Sequence, residues 1–321
     1  MAHGTTELHA WWTGRPMRRS LALSIVVLGS SCLPVDTRAP PATVLVTARG
    51  ANHLTEGIPA TALEDGWAIH FDRYLVTFGE LDLQGDPCTP YSDAGYRRVF
   101  NALTTVPQKV SVLYALGTCT FAARAGWADA DSPLATGVTD DDSTLMHTAG
   151  SDGYAGDGAG ITAFVAGHAT KGDVMKKFSW SFRARSVRYT DCTTAIDEKP
   201  WEVTLVGNQS YTMDFQFRGD VLFRDQLDPT KAKLRFAPFA AADDTFGNKD
   251  GEITLDELGL MTLADAGVTA DETTVGDAGD AGAPDWKTFE DFVYLGLFPH
   301  VVGLNDSGEC TANVRLKRGP G

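Results

Sequence analysis

Residues 176–189 read KKFSWSFRARSVRY. Phe178, Trp180 and Phe182 fall on one parity, with Ser179, Ser181 and Arg183 between them. A period of two places one set of side chains on one face of an extended chain, so the stretch predicts a half-buried strand. Working outward, 66–83 (GWAIHFDRYLVTFGELDL) repeats the signal: Trp67, Ile69 and Phe71 share a parity, and Leu75 starts a new phase after a bend. Strands are also predicted at 43–48 (TVLVTA), 96–103, 109–116 (KVSVLYAL) and 161–167. Residues 201–206 and 211–217 (YTMDFQF) predict a hairpin around Gly207-Asn208-Gln209-Ser210. Asp/Gly/Thr-rich turns, such as 129–160, separate these runs. Many short strands between such turns predict a mainly β fold, an antiparallel β-sandwich over 43–226.

Helical pattern comes late, at 229–242, 255–264 and 286–298, and predicts a small C-terminal helical region over 227–310. Asp140-Asp141-Asp142 after Thr139 reads as a helix start or a solvated acidic loop. Residues 268–284 are a low-complexity Ala/Asp/Gly/Thr segment, read as a loop, and 311–321 as a tail.

The chain carries 27 Lys+Arg against 42 Asp+Glu, a formal charge of −15. Such a surface repels nucleic acid and favours cations, which excludes DNA or RNA as the expected partner. The N-terminal region holds an address. Arg18 and Arg19 precede the apolar run 21–28, then Gly29-Ser30-Ser31-Cys32. A charged region, a short apolar region and a small-residue cleavage site form a secretory signal over 17–31, too short for the roughly 20 residues of a spanning helix. Residues 1–16 carry no signal logic and read as an extension upstream of Met17. The Pro-rich 32–42 reads as a tether.

Cys32 after small residues resembles the lipobox of bacterial lipoproteins, with Leu28 one place further from the cysteine than that pattern has it. The resemblance implies lipidation of Cys32 and a membrane partner reached through that lipid. With Leu33-Pro34 and no Asp after the cysteine, it implies the outer membrane or cell surface. The other cysteines, Cys88, Cys119, Cys192 and Cys310, are even in number, and in an exported chain they predict two disulfides. Cys88 and Cys119 both sit at strand ends within one local stretch, which favours Cys88–Cys119 and leaves Cys192–Cys310.

The sharpest chemical signal is 244–258, DTFGNKDGEITLDEL. It resembles the EF-hand loop, which surrounds Ca²⁺ with hard oxygen donors about a sharp turn at Gly. Aligned on Gly251 as position six, positions three, five, seven, nine and twelve are Asn248, Asp250, Glu252, Thr254 and Glu257. Position one is Phe246 in place of the usual Asp, so a locally expanded loop is needed to bring in Asp244. No second loop accompanies it, which implies weak calcium affinity, in the ~10⁻⁴–10⁻³ M range of extracellular modules. A loop that binds nothing and serves the fold alone is the other outcome. Taken whole, TEGIPA, EDGWAIHFDRYLV, the spaced cysteines and the acidic loop resemble uncharacterised bacterial surface lipoproteins, a group that carries no activity across.

An alternative metal set is His53, Glu56, His70 and Asp72, of which His70 and Asp72 share a strand face; its chemistry suits a transition metal. His147 and His168 stand isolated. Arg218-Gly219-Asp220 spells an adhesion tripeptide but reads as turn chemistry after a strand. There is no GxSxG, HExxH or Walker loop. The expectation is therefore non-enzymatic: an exported, membrane-anchored protein with a binding or structural role and a calcium loop. Its competitors are a periplasmic transition-metal binder and a carbohydrate-binding or carbohydrate-active sandwich.

Overall fold

The computed structural model describes residues 40–129, 131–150, 159–193, 201–268, 286–305 and 308–315. These fall within the unit Ala39–Gly321. Cys32, the stretch 17–31 read as an export signal and most of the low-complexity 268–284 segment lie outside the described residues. The fold is mainly β, with a curled mixed sheet. Its strands are β1 (Ala42–Gly50), β2 (Ala68–Gln84), β3 (Thr89–Pro90), β4 (Ala94–Asn101), β5 (Gln108–Gly126), β6 (Ala163–Lys171) and β7 (Val174–Phe182). Then follow β8 (Ser186–Thr190), β9 (Val203–Leu205), β10 (Ser210–Phe217), β11 (Glu252–Ile253), β12 (Val302–Leu304), β13 (Gly308–Glu309) and β14 (Thr311–Arg315). The helices are α1 (Asn52–Glu56), α2 (Asp140–Met146), α3 (Ala237–Ala241), α4 (Leu255–Leu258) and α5 (Phe289–Asp291).

The main path through the sheet runs β11-β7-β6-β2-β5-β1-β10-β12-β13. Two of its pairings are parallel, β1 with β10 and β11 with β7, so the sheet is not the all-antiparallel one expected. β5 is the organiser. One part of it pairs with β1, another with β2 and β8, and β3 and β9 also add to it.

The stretch 176–189 is two strands. Phe178, Trp180 and Phe182 are buried on β7, and the inward parity then changes, so that Val187 and Tyr189 are buried on β8. Between them the corner is held by side chains: Trp127 Nε1 donates to the Arg183 carbonyl at 2.8 Å and Thr162 Oγ1 to the Ala184 carbonyl at 2.6 Å. The expected hairpin at 201–217 is not formed. Its turn is present, with Asn208 at φ 64° and Gln209 N–H donating to the Val206 carbonyl, but β9 pairs with β5 while β10 pairs with β1 and β12. Residues 311–315, expected as tail, are β14 and pair with β8.

The main core brings Phe71, Phe178, Trp180, Phe223, Phe236 and Phe239 together, with Phe182 stacked on Phe298 at 4.3 Å between centroids. Asp65 ties α3 to this layer by accepting the Phe236 and Ala237 amides at 2.6 and 2.5 Å. A smaller cluster of Leu75, Val99, Ala128, Met146 and Ile161 buries α2. Thr139 caps α2 reciprocally with Asp142, as the Thr-then-Asp run suggests. The helical elements are shorter than the sequence pattern implies, because α3 and α5 pass at once into π turns at Ala242–Phe246 and Phe292–Leu297.

Disulfides link Cys88 to Cys119 and Cys192 to Cys310, the same two pairs that the strand ends favour. They enclose 31 and 118 residues of sequence separation. In the chain-entropy account such loops stabilise by about 4 and about 5 kcal/mol. Gly117 makes the first possible: at φ 91°, a Cβ there would stand 1.9 Å from the Pro87 carbonyl oxygen.

Candidate functional site: the acidic loop on the sheet edge

The loop expected to hold calcium is docked on the outermost long strand. β11 runs parallel to β7 through Glu252↔Lys177 and Ile253↔Phe178. The Lys177 amide donates to the Gly251 carbonyl at 2.8 Å, and Trp180 Nε1 to the Ile253 carbonyl at 3.0 Å. The sheet edge thus partners this loop. Gly251 sits at φ 87°, the left-handed conformation its position in the turn requires.

Inside the loop Asn248 and Asp250 each close a small ring. Asn248 Oδ1 accepts the Asp250 amide at 2.9 Å, and Asp250 Oδ1 accepts the Glu252 amide at 2.8 Å. The Glu252 amide and the Asn248 side chain together hold the Asp250 carboxyl below its ordinary range. Glu257 joins the two ends. Its Oε1 accepts the Asn248 amide at 3.1 Å and its Oε2 the Thr254 amide at 3.0 Å, while Thr254 caps α4.

At the loop's entry the carboxylate that turns into the loop is Asp243, one residue before the expected Asp244. The π turn Ala242–Phe246 expands the approach, and Asp243, rather than Asp244, reaches the Gly251 amide, at 3.0 Å through Oδ2. Asp244 remains half-exposed. Lys176 Nζ lies 2.6 Å from Asp243 Oδ2 and 2.6 Å from Asp244 Oδ1. Burial works against the Lys176 charge, but these two hydrogen bonds outweigh it and hold the ammonium above its ordinary pKa. Asp243 Oδ1 is buried with no hydrogen-bond partner.

Tested against calcium, the donors fit in kind. Asn248, Asp250, the Glu252 carbonyl and Glu257 surround one turn, and the orphaned Asp243 oxygen is a hard donor without a proton to accept. Lys176 already pairs with the two entry carboxylates, so a cation at this loop would compete with its ammonium. Among the described residues, no three His, Cys, Asp or Glu side chains are assembled around a metal position.

The alternative metal set is divided by the fold. His53 turns toward the 218–220 bend, where Nε2 lies 3.1 Å from the Gly219 and Asp220 amides and 3.0 Å from Asp220 Oδ1. Burial opposes the Asp220 charge, but His53, Arg218 and Arg224 outweigh it and hold the carboxyl at a pKa of about 2. Glu56 is exposed on α1. His70 and Asp72 do meet on β2, joined by His168 from β6, which sequence reasoning set apart.

Arg218 pairs with Glu309 at 2.9 Å and Gly219 is buried, so the 218–220 tripeptide is a structural bend. Beside it lies an open polar recess of about 570 Å³, lined by Arg49, Asn52, His53, Gln216, Arg218 and Asp220. Its cations are engaged: Arg49 with Asp214 at 2.5 Å and Arg218 with Glu309. Among the described residues, no helix is long and apolar enough to cross a membrane. No protein-family model, curated protein or solved structure matches this chain.

Proposed function

We propose that the chain is an exported protein, anchored through a lipid on Cys32, with a binding or structural role and an acidic loop that takes calcium weakly. The observation that carries this reading is the pair of disulfides, Cys88–Cys119 and Cys192–Cys310. Such bonds persist in oxidising compartments and are rare in the cytosol, which agrees with the export signal read at 17–31. Anchoring adds the small-residue run that ends at Cys32. In this reading the strands form two facing layers that share β5, a rigid body held outside the membrane. Asp243, Asn248, Asp250, the Glu252 carbonyl and Glu257 would hold the ion. Its charge would supply what Lys176 supplies now, closure of the loop against β7.

Fractionation of the producing cells tests the anchor. The wild type sediments with membranes and carries acyl chains on Cys32 by mass spectrometry, and Cys32→Ala is released. Finding Cys32 unmodified, or the variant still membrane-bound, removes the lipid anchor from the proposal.

A further inference from the structure

His70 on β2 and His168 on β6 are direct cross-strand partners. Their ring centroids are 5.2 Å apart. Asp72 reaches both rings, with Oδ2 3.1 Å from His168 Nδ1 and Oδ1 3.8 Å from His70 Nε2. The register of β2 against β6 shifts between Phe71 and Arg73, so Asp72 is the extra residue of a bulge, without a partner on β6. That freedom lets it lean over the histidine pair. All three side chains are open to solvent, at 51%, 55% and 32% for His70, Asp72 and His168.

We propose that His70, His168 and Asp72 form a surface site for a divalent transition-metal ion, separate from the calcium loop. Donors around one tetrahedral zinc, each 2.0–2.2 Å from it, stand about 3.3 Å apart. Asp72 presents one oxygen to each imidazole, Oδ2 at 3.1 Å from His168 Nδ1 and Oδ1 at 3.8 Å from His70 Nε2, so small side-chain turns can bring the donors to that spacing. Imidazole and carboxylate together suit zinc, copper or nickel and not the all-oxygen preference of calcium or magnesium. The donors are near one another but not yet gathered on a point, so binding needs a modest turn of exposed side chains on a fixed backbone. The exposed row continues through Lys177, which pairs with His168, to Glu252, which pairs with Lys177. Lys177 is the one cation in that row. Glu252 stands on its far side, away from the histidine pair. Solvent fills the remaining coordination positions.

The test is a zinc titration against a chromophoric chelator, using the full chain with His3→Ala, His9→Ala and Cys32→Ser so that the imidazole and thiol donors outside the described residues are absent. This reference protein takes up an ion whose affinity falls by about tenfold or more in both His70→Ala and His168→Ala, as expected when one of three protein ligands is lost. Asp72→Asn weakens it, and His147→Ala does not. If His70→Ala and His168→Ala both titrate like the reference, the site does not exist. Should either variant fold poorly by circular dichroism, carbethoxylation of the reference decides. Zinc must protect His70 and His168 together, and protection of neither or of only one overturns the proposal. The calcium loop is read separately, with Ca²⁺ alone, so failure of one reading leaves the other standing.

Discussion

The ammonium of Lys176 lies 2.6 Å from a carboxylate oxygen of Asp243, and the two side chains keep only 7% and 0% of their surface exposed. A buried pair of this kind is not in itself a large source of stability, since desolvation offsets most of the attraction. Removing one partner is another matter, because the other charge stays buried alone.

Lys176→Met should therefore destabilise the chain by roughly 3–5 kcal/mol at neutral pH, read by urea denaturation. The raised folded pKa fixes the sign of the pH dependence. The contribution is complete below the ordinary lysine value of 10.5 and is lost as pH rises through the higher folded value, so wild type and variant converge only in strong alkali. In the calcium reading, millimolar Ca²⁺ returns part of the lost stability to Lys176→Met. No return would make the loop a structural element only.

Glu257→Gln separates the two roles of that carboxylate. It weakens the tie between Asn248 and the cap of α4, costing about 1–2 kcal/mol in calcium-free buffer. Calcium at ten times its Kd should stabilise the wild type by about 1.4 kcal/mol and the variant hardly at all. Paired thermal melts with and without the ion measure both effects.

Asp142 closes the cap of α2 and accepts Arg73 Nε at 2.7 Å. Burial opposes its charge, but the Thr139 amide and Arg73 outweigh it and hold the carboxyl below 3.8. Its stabilisation is then present above pH 3.8 and lost as pH falls through the folded value. Asp142→Asn should lower stability by about 1–3 kcal/mol at pH 7. That difference should vanish in acid. A constant difference down to pH 2 would contradict the assignment.

Cutting the second disulfide with Cys192→Ser and Cys310→Ser should cost about 2–5 kcal/mol. It should also loosen β14, which follows Cys310 directly and pairs with β8. Hydrogen exchange across 311–315 reads that loosening, and unchanged protection there would mean the strand holds without the bridge.

Alternation located β2 and β7, whose inward parities carry Ile69 and Phe71 and then Phe178, Trp180 and Phe182. It misread 201–217, where the turn chemistry is right but each strand is claimed by a partner far along the chain. It ran β7 into β8, since nothing local marks the corner that Trp127 and Thr162 hold. The candidate site was legible in its turn, from Asn248 to Glu257, and not in its entry. Lys176 was readable: it shares the inward parity of Phe178, Trp180 and Phe182, and a lysine there asks for a buried acid. His168 carried no such signal. It meets His70 only through the β2–β6 register, and a pairing 98 residues long leaves no mark on either neighbourhood.

β1 lies inside the sheet between β5 and β10, and its hydroxyl contact from Thr47 to the Met213 carbonyl spans 166 residues. During synthesis, therefore, ATVLVTARG emerges long before its second neighbour exists. Until β10 arrives, one side of an apolar strand offers unpaired amides and carbonyls to any other extended chain. Such delayed closure slows folding, because the long loop between the two strands must close before their pairing rewards it.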